Sequence, residues 1–267
     1  MVCIKSIFVS LILGSMLAWS YCLMSMDLFK ATSLGDLPRM NELIANPQLI
    51  NQKDAQGNSP LHLACLWRRT QAVQLLLANH ANVHKKDNFG RTSLHIAAAN
   101  GSEIIVAMLV QHGATVQEID NNGATPLIYA SYFGHQPTVM TLIAAGSQFD
   151  TQDAHGSTAL HHAASRGHLH IVRILIAQGT NFRLKNQAGK SPLEVAQLSG
   201  RTDIVRLLSS IQAAHTTALQ EVFALLKGYY LPVNITTCPV PVIDRFVIRS
   251  IGKIVTDATI DDVLQRS

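Results

Sequence analysis

Apolar positions along the chain fall at helical spacing in short blocks, and the blocks return every 33 residues. Leu61, Leu94, Leu127, Leu160 and Leu193 form one such series, and Ala64, Ala97, Ala130, Ala163 and Ala196 form a second. Leucine and alanine lie three apart in every block, on one face of a helix, and the alanine is small enough for close packing. A second apolar block follows the first, as with Val139, Leu142 and Ile143 at i, i+3 and i+4. Polar punctuation keeps the same register: Asp54, Asp87, Asp120, Asp153 and Asn186, then Gly57, Gly90, Gly123, Gly156 and Gly189. The pattern predicts a turn and two short helices, repeated.

One block shows the local physics. In Asp120-Asn121-Asn122-Gly123 the Asp and Asn side chains favour a turn by bonding nearby backbone, and Gly123 tolerates a positive φ. Thr125 is placed to cap a helix, with Pro126 at its first position, where no amide donor is missed. Gly134 is the predicted stop of that helix. The helix containing Val139 follows, and Ala145-Gly146 closes it.

Ser59-Pro60-Leu61-His62-Leu63-Ala64 and Thr92-Ser93-Leu94-His95-Ile96-Ala97 resemble the T-P-L-H-x-A signature of ankyrin repeats, whose period is also 33. The resemblance spans Asp54 to about Ser210 and implies an all-α solenoid of helix-turn-helix repeats joined by β-turn fingers. Five repeats are expected at 54–86, 87–119, 120–152, 153–185 and 186–210. The register also runs backward: Leu28, Ala31, Gly35, Met40, Leu43 and Ile44 stand 33 before Leu61, Ala64, Arg68, Val73, Leu76 and Leu77. Residues 26–53 are therefore expected to be an N-terminal capping helix pair. Some positions depart from the family pattern. Arg68-Arg69 replaces the usual Gly-His, Ile128 and Glu194 replace the motif histidine, and Pro137 falls near the start of a second helix.

Outside the repeats the pattern changes. Lys5 precedes an uncharged run from Ser6 to Met26. Residues 1–25 read as a signal peptide, with cleavage after Ser20, or as an uncleaved membrane anchor. Either makes the protein exported or membrane-anchored; translation from Met24 or Met26 would leave it cytoplasmic. Residues 211–267 are expected to form a helical cap or appendage. Leu219, Val222, Phe223 and Leu226 share a helical face, and prolines follow at 232, 239 and 241. A cap is the first reading of this tail. The alternative is an exported effector or adaptor whose tail recruits a second protein, such as ubiquitin-ligase machinery.

Composition narrows the function. The chain is 48% hydrophobic and 14% charged, enough to bury a core, and its net charge of +4 is small for a nucleic-acid binder. Cys3, Cys22, Cys65 and Cys238 lack metal-ligand spacing. His161, His162, His168 and His170 are dense, but His161 and His168 occupy motif positions, which the resemblance assigns to structural hydrogen bonds. Gly189-Lys190-Ser191 echoes a phosphate-binding loop, yet Leu184 stands where its first glycine is needed. No catalytic, cofactor or metal residues are therefore expected, and the chain is read as a monomeric, non-catalytic scaffold for a protein partner. In this family the turn tips and inner-helix ends line the binding face. In register those positions hold Trp67, Phe89, Arg91, Tyr132, Phe133, His155, Arg166 and Lys190, and aromatic and Arg side chains are frequent binding hot spots. The basic members suggest a partner with acidic groups.

Overall fold

The structure, a computed structural model, describes residues 27–214. The expected leader or anchor at 1–25 and the tail from residue 215 onward lie outside the described residues. Among the described residues there are helices and turns and no strand. The helices are α1 (27–34), α2 (Leu37–Ile44), α3 (Pro47–Ile50), α4 (Pro60–Leu66) and α5 (Thr70–Ala78). They continue as α6 (Ser93–Ala99), α7 (Glu103–Gln111), α8 (Pro126–Phe133), α9 (Gln136–Ala144) and α10 (Ala159–Arg166). Last come α11 (Leu169–Ala177), α12 (Pro192–Leu198) and α13 (202–214). No helix among them is long and apolar enough to cross a membrane.

Helices of seven to nine residues are too short to persist alone in water, so packing must hold them. The chain forms two compact units divided between His162 and Ala163, within α10. In the first unit α4, α6 and α8 lie side by side in one row, and α5, α7 and α9 in a second. Each helix of the first row pairs with the next helix in the chain. Ala64, Ala97 and Ala130 are wholly buried, which is what close approach of neighbouring helices requires. Leu61, Leu94 and Leu127 fill the space beside them, and Val73, Val106 and Val139 are among the buried residues of the second row. The second unit buries Ile171, Val172, Leu175 and Ile176 of α11, Ala196 of α12, and Ile204, Leu207 and Leu208 of α13.

The fingers are built by one carboxylate each. In Asp54, Asp87, Asp120 and Asp153, Oδ1 accepts two backbone N–H groups, two and four residues on, at 2.8–2.9 Å. Oδ2 takes a different donor in each finger: Asn58 Nδ2, Arg91 Nε, the Tyr129 hydroxyl or His162 Nε2. Successive fingers then bond to each other. Asn88 N–H donates to Gln56 O at 3.2 Å, Asn121 N–H to Phe89 O at 3.0 Å, and Ala154 N–H to Asn122 O at 2.7 Å. Asn88 and Asn121 also donate through Nδ2 to the carbonyl 33 residues earlier, at 3.1 Å in both cases. Gly90 shows how closely the fingers approach. Its φ is +77°, and a Cβ built there would stand 2.8 Å from Asn121 N.

The motif histidines act as caps and as ties. Ser59 N–H donates to His62 Nδ1 at 3.1 Å, so the ring proton sits on Nε2, which donates to Arg91 O at 3.0 Å. His95 repeats this with Thr92 N–H and Ala124 O, both at 3.1 Å. His161 Nδ1 accepts from Thr158 N–H at 3.1 Å. Where the motif histidine is missing, the cap changes chemistry. Glu194 accepts from Ser191 N–H at 2.7 Å in a capping box. Ile128 is buried, and its N–H reaches Thr125 Oγ1 at 3.4 Å.

Arg68-Arg69 also has a physical account. His135 Nε2 donates to Ala99 O at 2.9 Å, 36 residues back. Arg69 makes the same tie through Nε to Ser33 O at 3.1 Å, and in the second unit Arg201 does so to Ser165 O at 3.0 Å. Arg68 occupies the glycine position before it with φ +53°, and its Nε donates to Ser102 Oγ at 3.1 Å. His80, at φ +61°, stands 33 residues before Gly113, in another glycine slot.

Candidate functional site

The helix ends and finger tips of the first unit expose a set of large apolar side chains. Trp67 caps the C-terminus of α4 and is 55% exposed; Phe133 is the last residue of α8 and is 49% exposed. Phe89, at a finger tip, is 59% exposed. Tyr132 is half-buried. Its ring meets Phe133 edge-on at 4.9 Å and His162 at 5.6 Å. Phe133 in turn lies over His135 at 6.3 Å with the rings 24° apart. Two of the predicted aromatics therefore pack on neighbours and still present surface.

The polar members are placed differently. Arg91 pairs with Asp87, whose side chain is fully buried, through Nε and Nη2 at 2.8 Å each. Its guanidinium also sits 5.0 Å from the centre of the Phe89 ring, a cation–π distance. The Asp87 carboxylate compensates that charge, so Arg91 shapes the finger and supports Phe89. The basic character expected of it is largely balanced at its own finger. His155 is exposed at the next tip but one, its N–H held by Asp153. In the second unit Arg166 is exposed in the last turn of α10, where a cation suits the helix dipole. Lys190 is exposed after the last finger, its N–H donating to Asn186 Oδ1 at 3.0 Å.

The exposed apolar set is larger than the predicted residues. Leu34 stands 33 before Trp67 and is 63% exposed; Leu66, beside Trp67, is 45% exposed. The helix ends that carry them adjoin. Arg69 bonds Ser33 O, Asn100 Nδ2 donates to Leu66 O at 2.9 Å, and His135 bonds Ala99 O. These ties run through the C-terminal ends of α1, α4, α6 and α8 in order. Phe89 and His155 sit instead at finger tips, just before the N-termini of α6 and α10 in sequence. Leu34 was discoverable from the period alone, by counting back from Trp67.

The reactive side chains inside the units serve the fold. Burial pushes the Cys65 thiol up and keeps it protonated. Burial also holds His62 and His95 below the ordinary imidazole range, His95 at about 4, against the opposing pull of the carbonyls they bond. The Tyr129 phenol is raised to about 12 by burial and by its bond to Asp120. Glu194 is lowered by the Ser191 N–H and hydroxyl, which favour its ionised form in the capping box. Among the described residues no three His, Cys, Asp or Glu side chains cluster in a way that could hold a metal ion.

Repeating fingers, motif histidines and stacked helix pairs define a class of helical repeat proteins whose surfaces bind other proteins. The family model for ankyrin repeats, in three copies, matches residues 28–120, 69–153 and 137–218. The chain belongs to the ankyrin-repeat family. It therefore carries a protein–protein interaction domain, of a kind that is typically non-catalytic. No curated protein matches the chain.

Proposed function

We propose that the protein is a binding scaffold that captures a protein partner on the exposed helix ends and finger tips of its repeats. The observation that carries this reading is the exposure of Leu34, Leu66, Trp67 and Phe133 at helix C-terminal ends bonded to one another in the first unit. Large apolar side chains held in water on tied helix ends cost little ordering on binding, and clustered exposed apolar surface is characteristic of docking sites. Phe89, Arg91, Tyr132 and His155 extend the surface in that unit; Arg166 and Lys190 supply cations in the second. The long aromatic side chains contribute most, with Arg91 holding Phe89 in place.

The test is comparative proximity labelling with residues 26–267. Wild type is set against Trp67→Ala/Phe133→Ala, and circular dichroism checks that both are equally helical. The proposal expects a discrete group of labelled proteins to drop out with the double variant. The same labelled set from both chains, at the same helicity, overturns the site.

A further inference from the structure

The exposed strip carries charge as well as apolar surface, and that charge is uncompensated. Leu66-Trp67-Arg68-Arg69 is a continuous exposed stretch, with Leu34 adjoining it through the Arg69–Ser33 bond. Arg91 and Lys86 each have a carboxylate partner in this unit, Asp87 and Glu118. Arg68 and Arg69 take part in none of the ion pairs of the described residues; the bonds they make go to neutral oxygens, Ser102 Oγ and Ser33 O. Both are tied through Nε, which fixes the guanidinium plane while these bonds leave the terminal Nη groups unused. Two acids stand close to the pair in register: Asp36, which caps α2 through the Arg39 N–H, and the exposed Glu103. Neither pairs with the two arginines.

Resting on the scaffold reading above, we infer that this strip docks a peptide segment in which aspartate or glutamate alternates with large apolar residues. Its side chains would lie on Leu34, Leu66 and Trp67, and its carboxylates would meet Arg68 and Arg69. The charge complementarity is specific in form. A guanidinium held by Nε offers its remaining donors as a fork, the geometry that suits a carboxylate bidentately. Ordering two arginines before the partner arrives removes part of the entropy cost of using them. Two such cations are too few to hold a polynucleotide backbone, whose affinity comes from neutralising many phosphates. The fold does not require arginine at position 68, where its φ of +53° disfavours any side chain.

The full chain is panned against a displayed library of random short peptides, beside Trp67→Ala, Arg68→Gln/Arg69→Gln and Arg68→Lys/Arg69→Lys. Selected peptides are then titrated by fluorescence polarisation at low and high salt. Thermal melts check that each variant folds, since Gln at position 69 loses the Ser33 bond. The expected result is enrichment of Asp and Glu beside Leu, Phe or Trp. Trp67→Ala weakens those peptides by about 30-fold or more. The Gln pair weakens them by about ten-fold and flattens the salt dependence, whereas the Lys pair keeps the acidic preference. Peptides that need Trp67 but carry no acidic excess, or that bind the Gln pair equally well, overturn this inference and leave the scaffold site standing. No enriched peptide, or none sensitive to Trp67→Ala, overturns both.

Discussion

His95 links architecture to pH, and replacing it with glutamine tests the link. The ring is wholly buried, accepts from Thr92 N–H and donates to Ala124 O at 3.1 Å each, and meets Tyr129 edge-on at 5.8 Å. Both nitrogens are already used in the neutral form, so a second ring proton would point at the Thr92 N–H donor. Burial lowers the group from 6.5 to about 4. The unfolded chain therefore binds a proton that the folded chain refuses, and stability rises with pH across that interval. It is complete above pH 6.5 and is lost as pH falls toward 4, at about 1.4 kcal/mol per pH unit. By pH 5 this one residue removes about 2 kcal/mol. Glutamine does not titrate and can donate to Ala124 O, but it leaves the Thr92 N–H short of its acceptor. His95→Gln should lose about 1–3 kcal/mol at pH 7.5. Its deficit against wild type should then shrink to near zero by pH 5, because only wild type is destabilised there. Urea unfolding followed by circular dichroism at pH 7.5, 6 and 5 measures both chains. A deficit that stays constant from pH 7.5 to 5 would show that the buried ring does not resist protonation, and the argument from its wiring would be wrong. His62 shares the wiring and the direction, so the wild-type slope should be steeper than a single histidine allows.

Two further outcomes concern backbone conformation. His80→Gly should stabilise the chain by about 1 kcal/mol, read from the urea midpoint, because a φ of +61° strains a side chain and the residue is exposed. Gly90→Ala should cost clearly more than Gly113→Ala. Both glycines have positive φ, but an added Cβ at Gly90 meets the Asn121 backbone, whereas at Gly113 it meets nothing within 4 Å. Gly113→Ala is expected to lose about 1–2 kcal/mol, and equal losses at the two sites would mean the finger contact is slack.

What was legible before the structure follows from which features are local. The period, the Thr125 cap, the Pro126 start and the Gly134 stop each depend on a few neighbouring residues, and the structure has all of them, Gly134 at φ +84°. Leu34 and His80 were legible in principle, since both follow from counting by the period. The Asp87–Arg91 pair was also within reach, at a spacing of four, but reading Arg91 as a free surface cation passed over the carboxylate. Other features depend on positions that only folding brings together. The Oδ2 donor of each finger carboxylate comes from four different residue types, so no motif announces it.

The tie across 36 residues carries this one step further. His135, Arg69 and Arg201 differ in shape and charge, yet each delivers a side-chain N–H to the equivalent backbone carbonyl one repeat back. Where that position makes the tie, the architecture is indifferent to what else the side chain brings. A sequence departure there changes surface charge without changing the fold, so it cannot be read as a structural defect of the repeat. Ser102, which sits in the same register as Arg69 and His135, makes the point from the other side, because it receives a bond from Arg68 instead of sending one back. Where stability is satisfied by His, Arg or an exchange of donor and acceptor, stability does not choose among them. At Arg69 the bond to Ser33 O accounts for a donor and not for the charge, and that charge is what the proposed acidic segment would meet.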